Sequence, residues 1–579
     1  MSISGSLITR NYAAFRGVDF SERQDEVNLY RSPDALNMWK NYKRESGKCI
    51  ETRPDVELLA EYSNAIFGLF FYAYNGATHR IVHSGTNLYD NDTVIYSNMA
   101  EHKSNFFVFN NLLYIHDATN YLVYDGNSCT EVVGYIPTTS ISRNPSGGGT
   151  MYEDINLLSP YRINSFCSDG VSTEYFLDAT DLDVEEVHVW IIDEKGRKKE
   201  KTSGITTDYE NGIVKFSSPP EEPFTDGQDN VFIRFKKTVD KYADEIKKCS
   251  LLAVFDNRVF FSGNEEYKNY LWHSSLNDAT YISDLDYYQE GTDDSAIKAL
   301  VAGNNALWVL KEPSQSNTTI FYHSPTIDSD YGKIYPSSHS SITTGCRTTG
   351  INFNDTICFY SNNGLEAITS DVTTEQAISH KSSLVDSRLL NDNLDNMILE
   401  EWEGYLLTII DNKIYLADSR QYSQVNDHYE YEWYYFEFDN KITGTLVKDG
   451  VLYLCAEVTD KTGNKSYKIY TLTNMDNDRR VKAYWTTIED EFNYPQYQKI
   501  TNKKGCVVDA EGEAISIYAK TDNKGFDFIK TFRQIPKGYV VPRIKKKKWK
   551  SIQLKFYSEK PFQLYSSTLE SYVGSYIKR

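Results

Sequence analysis

The sequence predicts an all-β protein. Its main body is a β-propeller of about seven blades, with six to eight open from the repeat spacing, and it carries an inserted β-sandwich and a C-terminal β-sandwich. Three observations predict this. Tyr, Phe and Trp number 45, 28 and 8, 14% of 579 residues, and aromatic residues favour strands. Short apolar-aromatic runs alternate with turn residues drawn from 32 Gly, 15 Pro and many Asn and Asp. Above all, one phrase recurs: a strand, a polar turn of two to four residues, a second strand and usually a third. FFVFNNLLYIHDATNYLVYDG, starting at Phe106, is echoed by LLAVFDNRVFFSGNEEYKNYLWHS at Leu251, and again in the stretches beginning at Ile297, Thr348, Met397 and Ile442. The turns Asn110-Asn111, Asp256-Asn257, Asn304-Asn305, Asp411-Asn412 and Asp449-Gly450 have hairpin chemistry. Repeated sets near ~40–45 residues have the spacing of propeller blades.

Taken in order, residues 1–55 form an N-terminal arm. Ser32-Pro33-Asp34 has the chemistry of a helix start, and Ala35, Met38, Trp39 and Tyr42 follow at spacings of three and four, which predicts a short helix with one apolar face. The helix reads equally as packed on the main domain or as docking on a neighbouring subunit. In the second case Arg31, Pro33, Trp39 and Arg53 are subunit-interface candidates. Residues 56–135 carry the first blades and 246–480 the remaining ones. Between them, 136–245 reads as the inserted sandwich, with Val231, Ile233 and Phe235 alternating as a half-buried strand should. Asp240–Lys248 reads as a short helix returning the chain to the propeller. Residues 481–579 form the C-terminal sandwich, where Ile552, Leu554 and Phe556 alternate with polar neighbours.

Charge is uneven. The chain carries 61 Lys+Arg against 81 Asp+Glu, a net charge of −20, which argues against a protein that coats nucleic acid through its cations. Met151–Glu245 holds 21 acidic and 11 basic residues, whereas 541–579 holds ten basic and two acidic. Lys545, Lys546, Lys547 and Lys548, followed by Trp549, read either as guards of a sheet edge, as a contact to an acidic neighbouring subunit, or as a grip on phosphate with the indole stacking a base. They complete the set of interface candidates.

The chemistry of reactive sites is thin. Gly147-Gly148-Gly149 is not followed by Lys-Ser/Thr, and Gly463-Asn464-Lys465-Ser466 lacks the upstream glycine of a phosphate loop. No His-Glu-x-x-His occurs, and the Asp-rich turns at 181–183, 284–286 and 476–478 lack the glycine and distal Glu of a calcium loop. No Gly-x-Ser-x-Gly occurs. The expectation is therefore of no metal, no cofactor and no enzyme. A carboxylate pair for glycoside hydrolysis stays open, because its ~5–9 Å spacing is spatial rather than sequential. Eight scattered cysteines without a CxxC predict reduced thiols. The longest apolar run, Ala65–Tyr74, is about half the ~20 residues of a membrane span, and no secretory leader is expected from the N-terminal residues.

Several phrases resemble one family. Phe15-Arg16-Gly17-Val18-Asp19-Phe20, then Arg31-Ser32-Pro33-Asp34-Ala35-Leu36-Asn37-Met38, then Ile50-Glu51-Thr52-Arg53-Pro54-Asp55 are similar to the opening of the packaged-DNA stabilisation and tail nozzle or hub proteins of short-tailed bacteriophages. Lys550–Leu554 and Leu569–Tyr572 resemble that family's closing sandwich. Asp55 departs from the family's usual glycine and puts the turn type there in doubt. The resemblance implies a virion tail protein made in the bacterial cytoplasm. It implies a ring, commonly of six copies, between portal or adaptor proteins above and other tail proteins below, which retains double-stranded DNA and conducts it without tight binding. A receptor- or glycan-binding tail propeller and a glycan hydrolase on a propeller scaffold are the alternatives.

Overall fold

The computed structural model describes residues 5–43, 49–193, 195–314, 318–329, 332–340, 342–368, 378–425, 428–476, 478–522 and 524–576. The fold is all-β, and its blades are those of a β-propeller. Among the described residues six separate four-stranded antiparallel sheets, together with four consecutive antiparallel strands at one end of a larger sheet, give seven blades. The first four are built from strands within 66–97, 105–131, 251–289 and 297–339; the next two from strands within 350–380 and 398–437. The seventh combines Lys441–Lys448, Val451–Thr459 and Lys465–Asn474 with Asp55–Tyr62, so an early strand completes a late blade.

The hairpin turns explain the register. Asn110 and Asn111 have φ of 50° and 62°, Asp256 and Asn257 48° and 57°, and Asn304 and Asn305 54° and 55°. Two consecutive positive φ values are what a type I′ hairpin requires, and Asn and Asp enter that region more easily than other side chains. Each turn fixes its pairing. Phe109 faces Leu112 across the first of these turns, Phe255 faces Arg258, and Gly303 faces Ala306.

The chain divides into two compact units, Met1–Phe71 with Ser340–Arg579, and Tyr72–His339. In the second unit, the inserted module has a six-stranded sheet and a three-stranded sheet. They share a core that includes Phe166, Tyr175, Val189, Val214, Ile233 and Phe235. The alternation read in 231–236 is realised: Val231, Ile233 and Phe235 are buried while Phe232, Arg234 and Lys236 are half-exposed. The helix Tyr242–Lys247 then leads to the third blade, anchored by fully buried Ile246.

The first unit holds one 14-stranded sheet in which the N-terminal strands Leu7–Tyr12, Ala35–Leu36, Met38–Trp39 and Ile50–Thr52 interleave with the sixth blade and the C-terminal strands. The predicted helix after Ser32 is therefore corrected: Ala35–Leu36 and Met38–Trp39 are two short strands, joined at Asn37 with φ 56°. Ala35, Leu36, Met38 and Trp39 are all buried, because partners from opposite directions cover both faces. The doubt over Asp55 resolves simply, since it opens the strand Asp55–Tyr62 and has no positive φ. No helix among the described residues is long and apolar enough to cross a membrane.

Candidate functional site

The predicted interface residues of the arm lie inside the first unit. Arg31, Trp39 and Arg53 are 6%, 2% and 6% exposed, and Pro33 is buried too. They are corrected from docking residues to parts of an internal junction built on one strand, His428–Glu437. Val18 N–H donates to Trp433 O at 2.7 Å, and Ser32 N–H donates to Gly17 O at 2.9 Å. Gly17 has φ +84°, and a Cβ there would stand 2.2 Å from Trp433 O. Arg31 donates from Nε and Nη2 to the buried Glu432 carboxylate at 3.3 and 3.4 Å. The Asn37 side-chain oxygen accepts from Arg53 Nε and from Glu437 N–H, both at 2.9 Å. Arg53 also lies 4.0 Å from the Phe438 ring centre, and burial lowers its pKa to about 10. Trp39 stacks on Trp402 with centroids 5.1 Å apart. Phrases separated by up to ~400 positions thus converge on one blade edge, where buried Arg31 is matched by buried Glu432 and buried Arg53 by amide and carbonyl oxygens.

Beside this junction, the three adjacent strands Ile50–Thr52, Phe562–Tyr576 and Tyr497–Thr521 bring Glu51, Gln563 and Glu511 into one cross-strand row. Their neighbours in register, Ile50, Leu564 and Ala510, are fully buried on the opposite face. The row therefore faces a cleft of 540 Å³, also lined by Asp478, Arg479, Glu513, Ile535 and Lys560. Gln563 Nε2 donates to Glu51 at 3.3 Å, and Tyr565 Oη bonds both Gln563 Oε1 at 2.6 Å and Glu511 at 3.3 Å. Burial, with Cys49 and Glu511 nearby, raises the Tyr565 pKa, so this phenol stays a donor at neutral pH. Glu513 pairs with Lys560 at 3.0 Å, and Arg479 spends its guanidinium on the carbonyls of Met475, Asp476, Thr52 and Arg53. Two carboxylates two strands apart put their α-carbons about 9–10 Å from one another. Sequence reading passed over this row because its members lie in three distant segments. The local trace was Glu511-Gly512-Glu513, alternating on a strand.

The lysine run fares differently. Lys547–Trp549 forms a short strand paired with Lys499 and Ile500. Lys545, Lys547 and Lys548 are exposed, whereas Lys546 pairs with Asp527. Trp549 is 1% exposed against Phe492 and the Lys499 ammonium, so the indole is unable to stack a base. Among the described residues no group of three or more His, Cys, Asp or Glu is placed to hold a metal ion.

No protein-family model matches the chain, and no curated protein matches it. Solved structures do. An exo-β-1,3-galactanase from Phanerochaete chrysosporium bound to galactose is 7% identical, covering 55% of this chain and 95% of its own, with a TM-score of 0.22. Trypanosoma rangeli sialidase with the inhibitor DANA is 8% identical, covering 57% and 91%, with a TM-score of 0.20. A glycoside hydrolase is 8% identical, covering 88% and 98%, with a TM-score of 0.20. These are described as glycan-active enzymes, which runs against the expectation that the chain is not an enzyme. At TM-scores of 0.20 to 0.22 the likeness assigns neither substrate nor catalytic residue.

Proposed function

We propose that the chain is a virion wall protein, a subunit of the nozzle or hub ring that continues a bacteriophage portal channel, retains packaged DNA and conducts it during ejection. The observation that carries this reading is the internal junction. The three N-terminal phrases of the resemblance, 15–20, 31–38 and 50–55, hold adjoining places on the strand His428–Glu437, each through a residue of its own phrase: Gly17, Arg31 and Arg53. The resemblance thus falls on residues that hold the fold together, which supports the reading. The ring would be of six copies with portal or adaptor proteins above it. The net charge of −20 suits a wall along which phosphate passes without adhering. Negative-stain microscopy of the purified full chain is expected to show closed rings with an axial channel; monomers alone at micromolar concentration would overturn the reading.

A second reading is favoured by one observation, the row Glu51–Gln563–Tyr565–Glu511 in its cleft. Here the protein acts on a glycan, with Glu511 and Glu51 as the carboxyl pair and Tyr565 orienting Glu511. Incubation with a panel of β-linked bacterial polysaccharides tests it. Release of reducing ends that Glu511→Gln abolishes supports hydrolysis, and release unaffected by both Glu511→Gln and Glu51→Gln removes this cleft from consideration.

A further inference from the structure

We infer that the edge strand Asp527–Val540 and the lysine loop after it form a docking arm, and that its occupant is the acidic tip of the inserted module on a second copy of this chain. The inference rests on the ring reading and names its contact.

The arm is unlike the rest of the surface. Among the described residues, Asp527–Val540 pairs only with Tyr497–Thr521, which leaves its other edge open. Pro536 within it is a residue that sheets tolerate at an edge, the register shifts between Ile535 and Gly538, and Gln534 has φ 47°. From Lys524 to Lys548 there are nine cations and one carboxylate. That single carboxylate, Asp527, takes Lys546. Lys530, Arg533, Lys537, Arg543, Lys545, Lys547 and Lys548 have no ion pair among the described residues, and they follow one another along a single strand and the segment after it. Aromatic rings stand between them: Phe528 is 59% and Tyr539 73% exposed. Edge lysines alone protect a sheet from aggregation. Exposed aromatic rings together with the exposed Arg533 and Arg543 are residue types enriched at contact surfaces.

The complement lies on the same polypeptide. The loop 219–229 carries Glu221, Glu222, Asp226 and Asp229 and no cation. Its Phe224 is 85% exposed. The turn at 169–172 lies against it, since a Cβ at Gly170 would stand 2.9 Å from Glu222, and that turn adds Asp169 and Val171, the latter 79% exposed. Glu221, Glu222 and Asp226 have no ion pair among the described residues. An acidic tip crowned by an apolar ring and a basic strand studded with rings are complementary in both charge and chemistry. Two different patches joined copy to copy make a heterologous contact, the kind that closes rings.

Mass photometry of the full chain tests this with three variants: Lys530→Glu/Arg533→Glu/Lys537→Glu, Glu221→Lys/Glu222→Lys/Asp226→Lys, and the two sets combined. Each triple variant is expected to weaken association at least tenfold while melting within a few degrees of wild type, and the combination is expected to restore it to within threefold. Association unchanged by either triple variant, or not restored by the combination, overturns the docking. In parallel, Phe224→p-benzoylphenylalanine in the otherwise wild-type chain is expected to photo-crosslink to peptides from 524–548 of another copy. Closed rings in which Phe224 crosslinks elsewhere overturn the docking and leave the ring reading standing, whereas a monomeric wild type overturns both. A mobility shift of double-stranded DNA that the arm reversal removes without altering association assigns the arm to nucleic acid and also overturns the proposal.

Discussion

His380 shows how single residues here set stability through their surroundings. Its Nε2 meets Asp386 at 2.7 Å and its Nδ1 meets Glu366 at 3.3 Å. Burial works against the charge, but the two carboxylates outweigh it and raise the pKa to about 10. A histidine with a folded-state pKa above its unfolded value of ~6.5 contributes stability that is complete below that value and fades as pH rises toward 10. Urea denaturation of His380→Gln is therefore expected to show a deficit at pH 6 that has largely closed at pH 10. An equal deficit at both would mean that packing rather than charge is lost. Gly17 is a second case. Gly17→Ala places a methyl against Trp433 O at a left-handed φ, and a loss of about 2–4 kcal/mol is expected from strain plus displacement. Arg31→Met takes the guanidinium from a carboxylate only 1% exposed, and a loss of ~3–5 kcal/mol is expected. Of these residues the sequence displays the identity and hides the role. Arg31 and Arg53 look like surface cations in a charged arm, and only the strand His428–Glu437, some 400 positions away, turns them inward.

At the scale of elements, legibility followed contact distance. The blade hairpins are local objects, with two-residue turns of Asn and Asp that specify positive φ and hence register, and they could be read from a dozen residues. The stretch 32–42 could not. Its apolar residues sit at helical intervals, yet Ala35 pairs with Trp485 and Met38 with both Thr52 and Tyr435, so tertiary pairing overrode the local period. The carboxylate row was hidden for the same reason. Asp55–Tyr62 is the element with the most to test, since it pairs antiparallel with Lys465–Asn474 and completes the seventh blade. A chain starting at residue 63 loses that strand and the junction together, and is expected in the insoluble fraction on expression. A soluble product with a cooperative melt would show that the blade closes without its early strand.

For the whole molecule, net charge and local charge make opposite demands on assembly, and their length scales decide between them. A net charge of −20 over 27533 Å² amounts to one charge per ~1,400 Å², a mean spacing near ~37 Å and more than four Debye lengths of ~8 Å at physiological salt. Repulsion between copies from this diffuse charge is therefore largely screened. The arm and the acidic tip, by contrast, bring several unpaired charges within contact distance, inside one Debye length, where attraction survives at low salt and weakens steadily as salt is added. Association measured by sedimentation velocity is thus expected to weaken roughly tenfold between 50 and 300 mM NaCl, with the arm-reversal variant flat over the same range. If salt strengthened association instead, diffuse repulsion would be the governing term, and the copies would be held by the exposed rings of Phe224, Phe528 and Tyr539 rather than by the charges around them.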